Sequence, residues 1–143
     1  MTRIDFYLVK SESVHSTELL TCRLAEKAYT LGHRVYIHSA DDAQLERLDD
    51  LLWTFAAGSF VPHVRLQGEQ GDDAPVVLST QAAPAEHTDV LINLADEVPL
   101  FFSRFERVAE IVGADAALRS SARERYRYYR DRGYPLETHE LDA

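Results

Sequence analysis

Within its first 52 residues the chain passes twice from a two-residue to a helical apolar period, and this alternation restricts the fold more than any other feature. Residues 3–10 carry Ile4, Phe6, Leu8 and Val9 among β-formers and read as a strand. A helix opening at Ser16 or Thr17 then places Leu20, Leu24, Ala28 and Leu31 on one face, with Gly32 where a C-terminal cap belongs. Residues 34–38 (RVYIH) give a second strand, and a second helix starting at Asp41 or Asp42 aligns Leu45, Leu48 and Leu52. Strands that alternate with helices imply a parallel sheet covered on its faces. The expected fold is therefore α/β: a Rossmann-like, three-layer α/β/α domain with a largely parallel sheet.

The middle of the chain is less regular. Gly58 and Pro62 interrupt the pattern around Phe60-Val61-Pro62-His63. A polar, Gly-rich loop over 67–75 separates short strands at 64–66 and 76–79, and 81–88 reads as another loop. The continuous apolar run 90–94 (VLINL) has the signature of a buried strand. After Pro99, the residues Phe101, Phe105, Val108 and Val112 recur at i, i+4, i+7 and i+11, which predicts an amphipathic helix closed by Gly113. Asp115 then caps a last helix running to about Arg132, ended by Gly133 and Pro135. No repeat or long linker divides the 143 residues, so a single domain over 1–143 is expected, with the last few residues disordered.

Chemistry is sparse. The turn after the first strand, Lys10-Ser11-Glu12-Ser13-Val14, has no glycine to let a phosphate approach backbone N–H groups, and no GxxxxGK[ST] occurs. Cys22 is the only cysteine, which excludes an internal disulfide and a cysteine zinc cage; its helical setting reads as a small buried hydrophobe. The histidines 15, 33, 38, 63, 87 and 139 show no i, i+4 pair. Paired acids such as Asp41-Asp42, Asp49-Asp50 and Asp72-Asp73 read as caps or solvated surface. No catalytic site, cofactor or metal is expected. No apolar run approaches the roughly 20 residues that a membrane span needs, and no signal peptide is apparent, so a cytoplasmic location is expected.

Charge distribution supplies the one anomaly. The net charge is −9, yet residues 119–132 hold six arginines against two acids, +4, which leaves −13 for the rest. On a helix, Arg123, Tyr126, Arg127 and Arg130 share a face, with Ile111-Val112 available as an apolar floor. Guanidinium forks suit carboxylates, and interleaved aromatics suit stacked bases. Three readings stay open on these residues alone: a solvated helix end, a single-stranded nucleic-acid stripe, and an acidic-peptide site.

Three short blocks bear on the choice: Asp5-Phe6-Tyr7-Leu8; Leu48-Asp49 leading to Leu52-Trp53 and Ser59-Phe60-Val61-Pro62-His63; and Ala122-Arg123-Glu124-Arg125-Tyr126 followed by Tyr129-Arg130 and Gly133-Tyr134. In order and spacing the chain resembles the chi subunit of bacterial DNA polymerase III, from the first strand to about Thr138. The resemblance implies a non-catalytic adaptor. Its partners would be the psi subunit, the clamp-loader complex through psi, and the acidic, phenylalanine-terminated tail of the single-stranded-DNA-binding protein; nucleic acid would be met only indirectly. It implies tail binding by Val112, Arg123, Tyr126 and Arg127, where Arg127 replaces a lysine of familiar relatives and Tyr128 a small residue. Arg130 joins this set from the helical face. The resemblance also implies a psi interface at Trp53, Phe60, Val61 and Pro62, although Trp53, Phe60 and Val61 equally suit a core. The competing functions are a direct single-stranded nucleic-acid-binding module and a nucleotide-metabolising enzyme on a Rossmann-like fold.

Overall fold

In the computed structural model, which describes residues 1–66 and 74–141, seven strands form one sheet in the order β3-β4-β2-β5-β6-β1-β7. The strands are β1 (Arg3–Val9), β2 (Val35–His38), β3 (His63–Arg65), β4 (Val76–Ser79), β5 (Val90–Asn93), β6 (Arg107–Val112) and β7 (Leu136–Leu141), and all their pairings are parallel. Helices α1 (Val14–Thr30) and α2 (Asp42–Thr54) pack on one face with Val35, Ile37, Leu78, Ile92, Ala109 and Ile111. Helix α3 (Ala116–Asp131) and a 3-10 turn (Phe102–Arg104) cover the other face, with Ile4, Phe6, Tyr36, Leu91 and Val108. The expected three-layer α/β/α architecture is thus present, and its sheet is wholly parallel among the described residues. Most of the expected loop over 67–75, namely 67–73, lies outside the described residues, as do 142 and 143, where terminal disorder was expected.

Local chemistry explains most boundaries. The Asp41 carboxylate accepts from Ala43 N at 3.0 Å, and the Asp115 carboxylate accepts from Ala117 N and Leu118 N, so each caps its helix as the sequence predicts. Helix α1 begins earlier than expected, at Val14, and its N-cap Ser13 makes no side-chain cap bond. Helix α3 ends in a Schellman arrangement: Gly133 N donates to Arg130 O and Tyr134 N to Tyr129 O, with Gly133 at φ +82°.

The expected helix over 101–112 is not formed. Its first part is the 3-10 turn, and its second part is β6, a central strand. The spacing of four between Val108 and Val112 is even, so it fits a strand face as well as a helix face. Ala109 and Ile111 fill the opposite face, as a strand buried on both sides requires. Strand β7, which sequence periodicity does not announce, pairs with β1 at the sheet's edge.

Candidate functional site

Helix α3 lies over β1 and β6, and its contact with the sheet is organised by one acid. The Glu110 side chain, on β6, is fully enclosed. It accepts from Arg125 Nε at 3.0 Å, from Tyr129 Oη at 2.7 Å and from Asn93 Nδ2 at 3.0 Å. Burial pushes the Glu110 carboxyl up, while Arg125, Tyr129 and Asn93 pull the other way. Burial and then the Glu110 charge push the Tyr129 phenol up. Arg125 also donates to Asp96 O at 3.0 Å and to Ser121 Oγ at 2.7 Å. Arg125 and Tyr129 are one turn apart, so together they fix the rotation of α3 about its axis. Sequence reasoning assigned neither a role, because it expected a helix where Glu110 sits on a central strand.

With 125 and 129 turned inward, 123 and 126 fall on the flank toward β1 and β7, while 127 and 130 are exposed to solvent. There a groove of about 160 Å³ is lined by Phe6, Leu8, Arg119, Ala122, Arg123, Tyr126 and Thr138. The Tyr126 ring sits 5.5 Å from that of Phe6. Arg119 is anchored, donating to Gly113 O at 2.9 Å and Val9 O at 3.1 Å. Arg123 and Arg127 are exposed and have no hydrogen-bond or ion-pair partner among the described residues. Arg130 pairs with Asp131, and Arg132 lies over the Tyr128 ring at 3.4 Å. Of the six arginines, then, two remain uncommitted, and one of them, Arg123, lines an apolar floor. That floor is Phe6, Leu8 and Ala122. Val112, expected to line it, is buried in the cluster beneath and ends a strand rather than a helix.

The second set of sequence-selected residues divides. Trp53, in the last turn of α2, is 47% exposed and Phe60 70%, with ring centroids 5.5 Å apart. Trp53 rests on His63 at 4.2 Å; His63 itself is held by Val61 O at 2.7 Å and Asp49 O at 2.9 Å. Pro62 is half-buried beside them. Val61 is enclosed in the core with Leu45 and Leu48, so its place in an exposed interface is corrected: it anchors the segment from inside. This aromatic pair belongs to the β3–β4 side of the sheet, whereas the groove belongs to the β1–β7 edge.

A carboxylate–histidine cluster and the lone thiol are the other places where chemistry could be sought. Among the described residues, Asp5, Glu137 and His139 bring potential metal-ligand atoms within 4.8 Å of one another. The Asp5 carboxylate faces Arg107 at 3.3 Å and Glu137 faces Arg3 at 3.5 Å, so arginines already balance the acids. Cys22 is buried, and burial followed by Glu18 pushes its thiol up to about 12, far from a nucleophile's range. In the turn after β1, Ser16 Oγ donates to Ser11 Oγ at 3.1 Å.

The sequence profile described as DNA polymerase III chi subunit, HolC, matches residues 1–137. The chain is 45% identical to the DNA polymerase III subunit chi of Pseudomonas aeruginosa over 141 residues, covering 99% of this chain and 98% of that protein. It is 35% identical to the Escherichia coli subunit chi, covering 96% and 97%, and 33% identical to that of Haemophilus influenzae, covering 94% of each. Among solved structures, the crystal structure of T4 UvsW aligns with a TM-score of 0.70 at 9% identity. It covers 99% of this chain and 42% of that one, a likeness of fold alone.

Proposed function

The chain belongs to the DNA polymerase III chi subunit family, and from that premise we propose that it is a non-catalytic adaptor in bacterial DNA replication. In this reading the groove between α3 and β1 receives the acidic, phenylalanine-terminated tail of the single-stranded-DNA-binding protein. Trp53 and Phe60, with Pro62, dock the psi subunit, which joins the chain to the clamp loader. The adaptor works in the bacterial cytoplasm and meets DNA through its partners.

One observation carries the tail reading: an uncommitted guanidinium group, Arg123, lines a small apolar groove on a chain of net charge −9, with a second, that of Arg127, exposed one turn further along α3. An acidic peptide needs cationic forks for its carboxylates, and a terminal phenylalanine needs an apolar slot. Phe6, Leu8 and Tyr126 supply that slot, and Val112 supports it from below. The acidic remainder of the surface repels polyanions and leaves this flank as the place where a carboxylate-rich segment is attracted.

The reading is tested by recording amide NMR spectra of the full chain while adding an acidic peptide ending in phenylalanine. Expected are saturable shifts at 119–127 and at Leu8 and Thr138, with a Kd on the order of micromolar. Arg123→Ala should weaken binding roughly tenfold or more through loss of a charge-assisted contact, with the fold unchanged. Shifts confined to other parts of the chain, or an Arg123→Ala variant that binds as tightly as the parent, would refute the assignment.

A further inference from the structure

A second concave surface lies at the C-terminal edge of the sheet, away from both sites described above. Strands β2 and β5 are neighbours, and beyond them the chain departs in opposite directions: β2 leads through α2 toward β3 and β4, β5 toward β6. Such a reversal of strand order opens a crevice beyond the strand ends, where open α/β sheets bind ligands. Here it is a crevice of about 580 Å³ lined by His38, Ala40 and the segment 95–101.

Three properties set this crevice apart. Its lip is apolar and outward-facing: Leu100 is 84% exposed, with half-buried Val98 and Phe101 beside it. Its rim is acidic: Asp96 and Glu97 are exposed, and their carboxylates have no partner among the described residues. Its shape is held. Asn93 Nδ2 donates to Ala95 O and Glu97 O at 3.3 Å, and Ser121 Oγ and Arg125 donate to Asp96 O at 2.8 and 3.0 Å. Pro99 is buried and its carbonyl accepts from Phe102 N at 2.9 Å. Leu100 is not a lone exposed side chain: with Val98 and Phe101 it forms a contiguous apolar lip, on a segment fixed by five such bonds. Within the crevice, His38 Nδ1 is buried without a hydrogen-bond partner and its ring meets Phe101 edge-on at 5.3 Å.

We propose that this lip is a docking surface for a segment of a partner protein that carries lysine or arginine beside a leucine-sized apolar side chain. Charge decides the class of occupant. Phosphate-bearing ligands would meet two unpaired carboxylates, and a second copy of this chain would bring its own acidic surface against them. A basic residue of the partner pairs with Asp96 and Glu97 while its apolar neighbour covers Leu100 and enters the crevice beside Phe101. The lip flanks α3 on the side of Ser121 and Arg125, opposite the groove at Arg123 and Tyr126. The two surfaces can be occupied together, and this proposal stands apart from the tail-binding reading.

The test uses the full chain and two short synthetic peptides, one alternating lysine and leucine, the other glutamate and leucine, followed by amide NMR. The lysine–leucine peptide is expected to give saturable shifts centred on 95–101 and His38. Leu100→Ser, and separately Asp96→Asn with Glu97→Gln, should each weaken it about tenfold. Because all three residues are exposed, these variants should melt as the parent does. The proposal is overturned if shifts scatter over the acidic surface and ignore Leu100→Ser. It is equally overturned if the glutamate–leucine peptide binds the lip as well, or if the lip signals move with protein concentration alone, which would make the occupant a second copy.

Discussion

Arg123 and Arg125 stand two positions apart on α3 and act in opposite directions: the first faces solvent without a partner, the second is spent on a buried carboxylate. Counting arginines cannot separate them; helical phase and Glu110 do. Removing the acid should expose the dependence. Glu110→Ala leaves Arg125 buried without its counter-ion and is expected to cost about 3–5 kcal/mol in urea unfolding; a loss under about 1 kcal/mol would show that the network does not anchor α3. Cys22 gives a pH dependence of known sign. Its folded pKa, about 12, lies above the ordinary 9.0, so its stabilising contribution is complete below pH 9 and is lost as pH rises toward 12. Stability of the parent should therefore fall more steeply across that window than that of Cys22→Ala, by up to about 1.4 kcal/mol per pH unit. Equal slopes would mean that the thiol ionises freely in the fold.

At the scale of elements, β1, α1, β2, α2, β4, β5 and α3 were legible in the sequence because local signals agreed there: period, cap residues and glycine stops. Helix α3 shows it at both ends, with Asp115 opening it and Gly133 closing it. No side chain stands near the place a Cβ would occupy at Gly133, so Gly133→Ala should cost only the backbone penalty of a left-handed residue, about 1–2 kcal/mol. A larger loss in thermal unfolding would point to packing instead. Strand β6 was misread because a strand buried on both faces carries no alternation. The fact that identifies Glu110 as internal, its pairing with Arg125 fifteen positions later and Asn93 seventeen earlier, is tertiary. Strand β7 was missed for the converse reason. Its sequence, LETHEL, is mostly polar because it is an edge strand, and only its register with β1 makes it a strand. For the candidate site, Arg123 and Tyr126 were legible from spacing. The true floor, Phe6 and Leu8, comes from the first strand, which no helical spacing could connect to them.

At the scale of the whole molecule, the groove and the Trp53–Phe60 pair lie toward opposite edges of a seven-stranded sheet. At about 4.8 Å per strand, the edge strands are roughly 29 Å apart, which lets two partners bind without touching each other. The two activities should therefore separate. Replacing Trp53 and Phe60 by alanine should abolish co-purification with psi and leave acidic-peptide affinity unchanged, while Arg123→Ala should weaken the peptide and leave co-purification unchanged. Loss of both by either change would mean one shared surface or a damaged fold. The acidic body matters equally at this scale. Because the net charge is −9 while residues 119–132 alone hold six arginines, attraction should be specific to a short acidic segment, weakened by salt, and weak for long polyanions.

That contrast is the most direct test of an adaptor that meets DNA only through its partners. The full chain is titrated in parallel, at one salt concentration, with a fluorescent acidic peptide ending in phenylalanine and with a fluorescent single-stranded oligonucleotide. Micromolar binding of the peptide, weakened roughly tenfold or more by Arg123→Ala, together with far weaker binding of the oligonucleotide, is the expected result. Tight binding of the oligonucleotide with none of the peptide would contradict it.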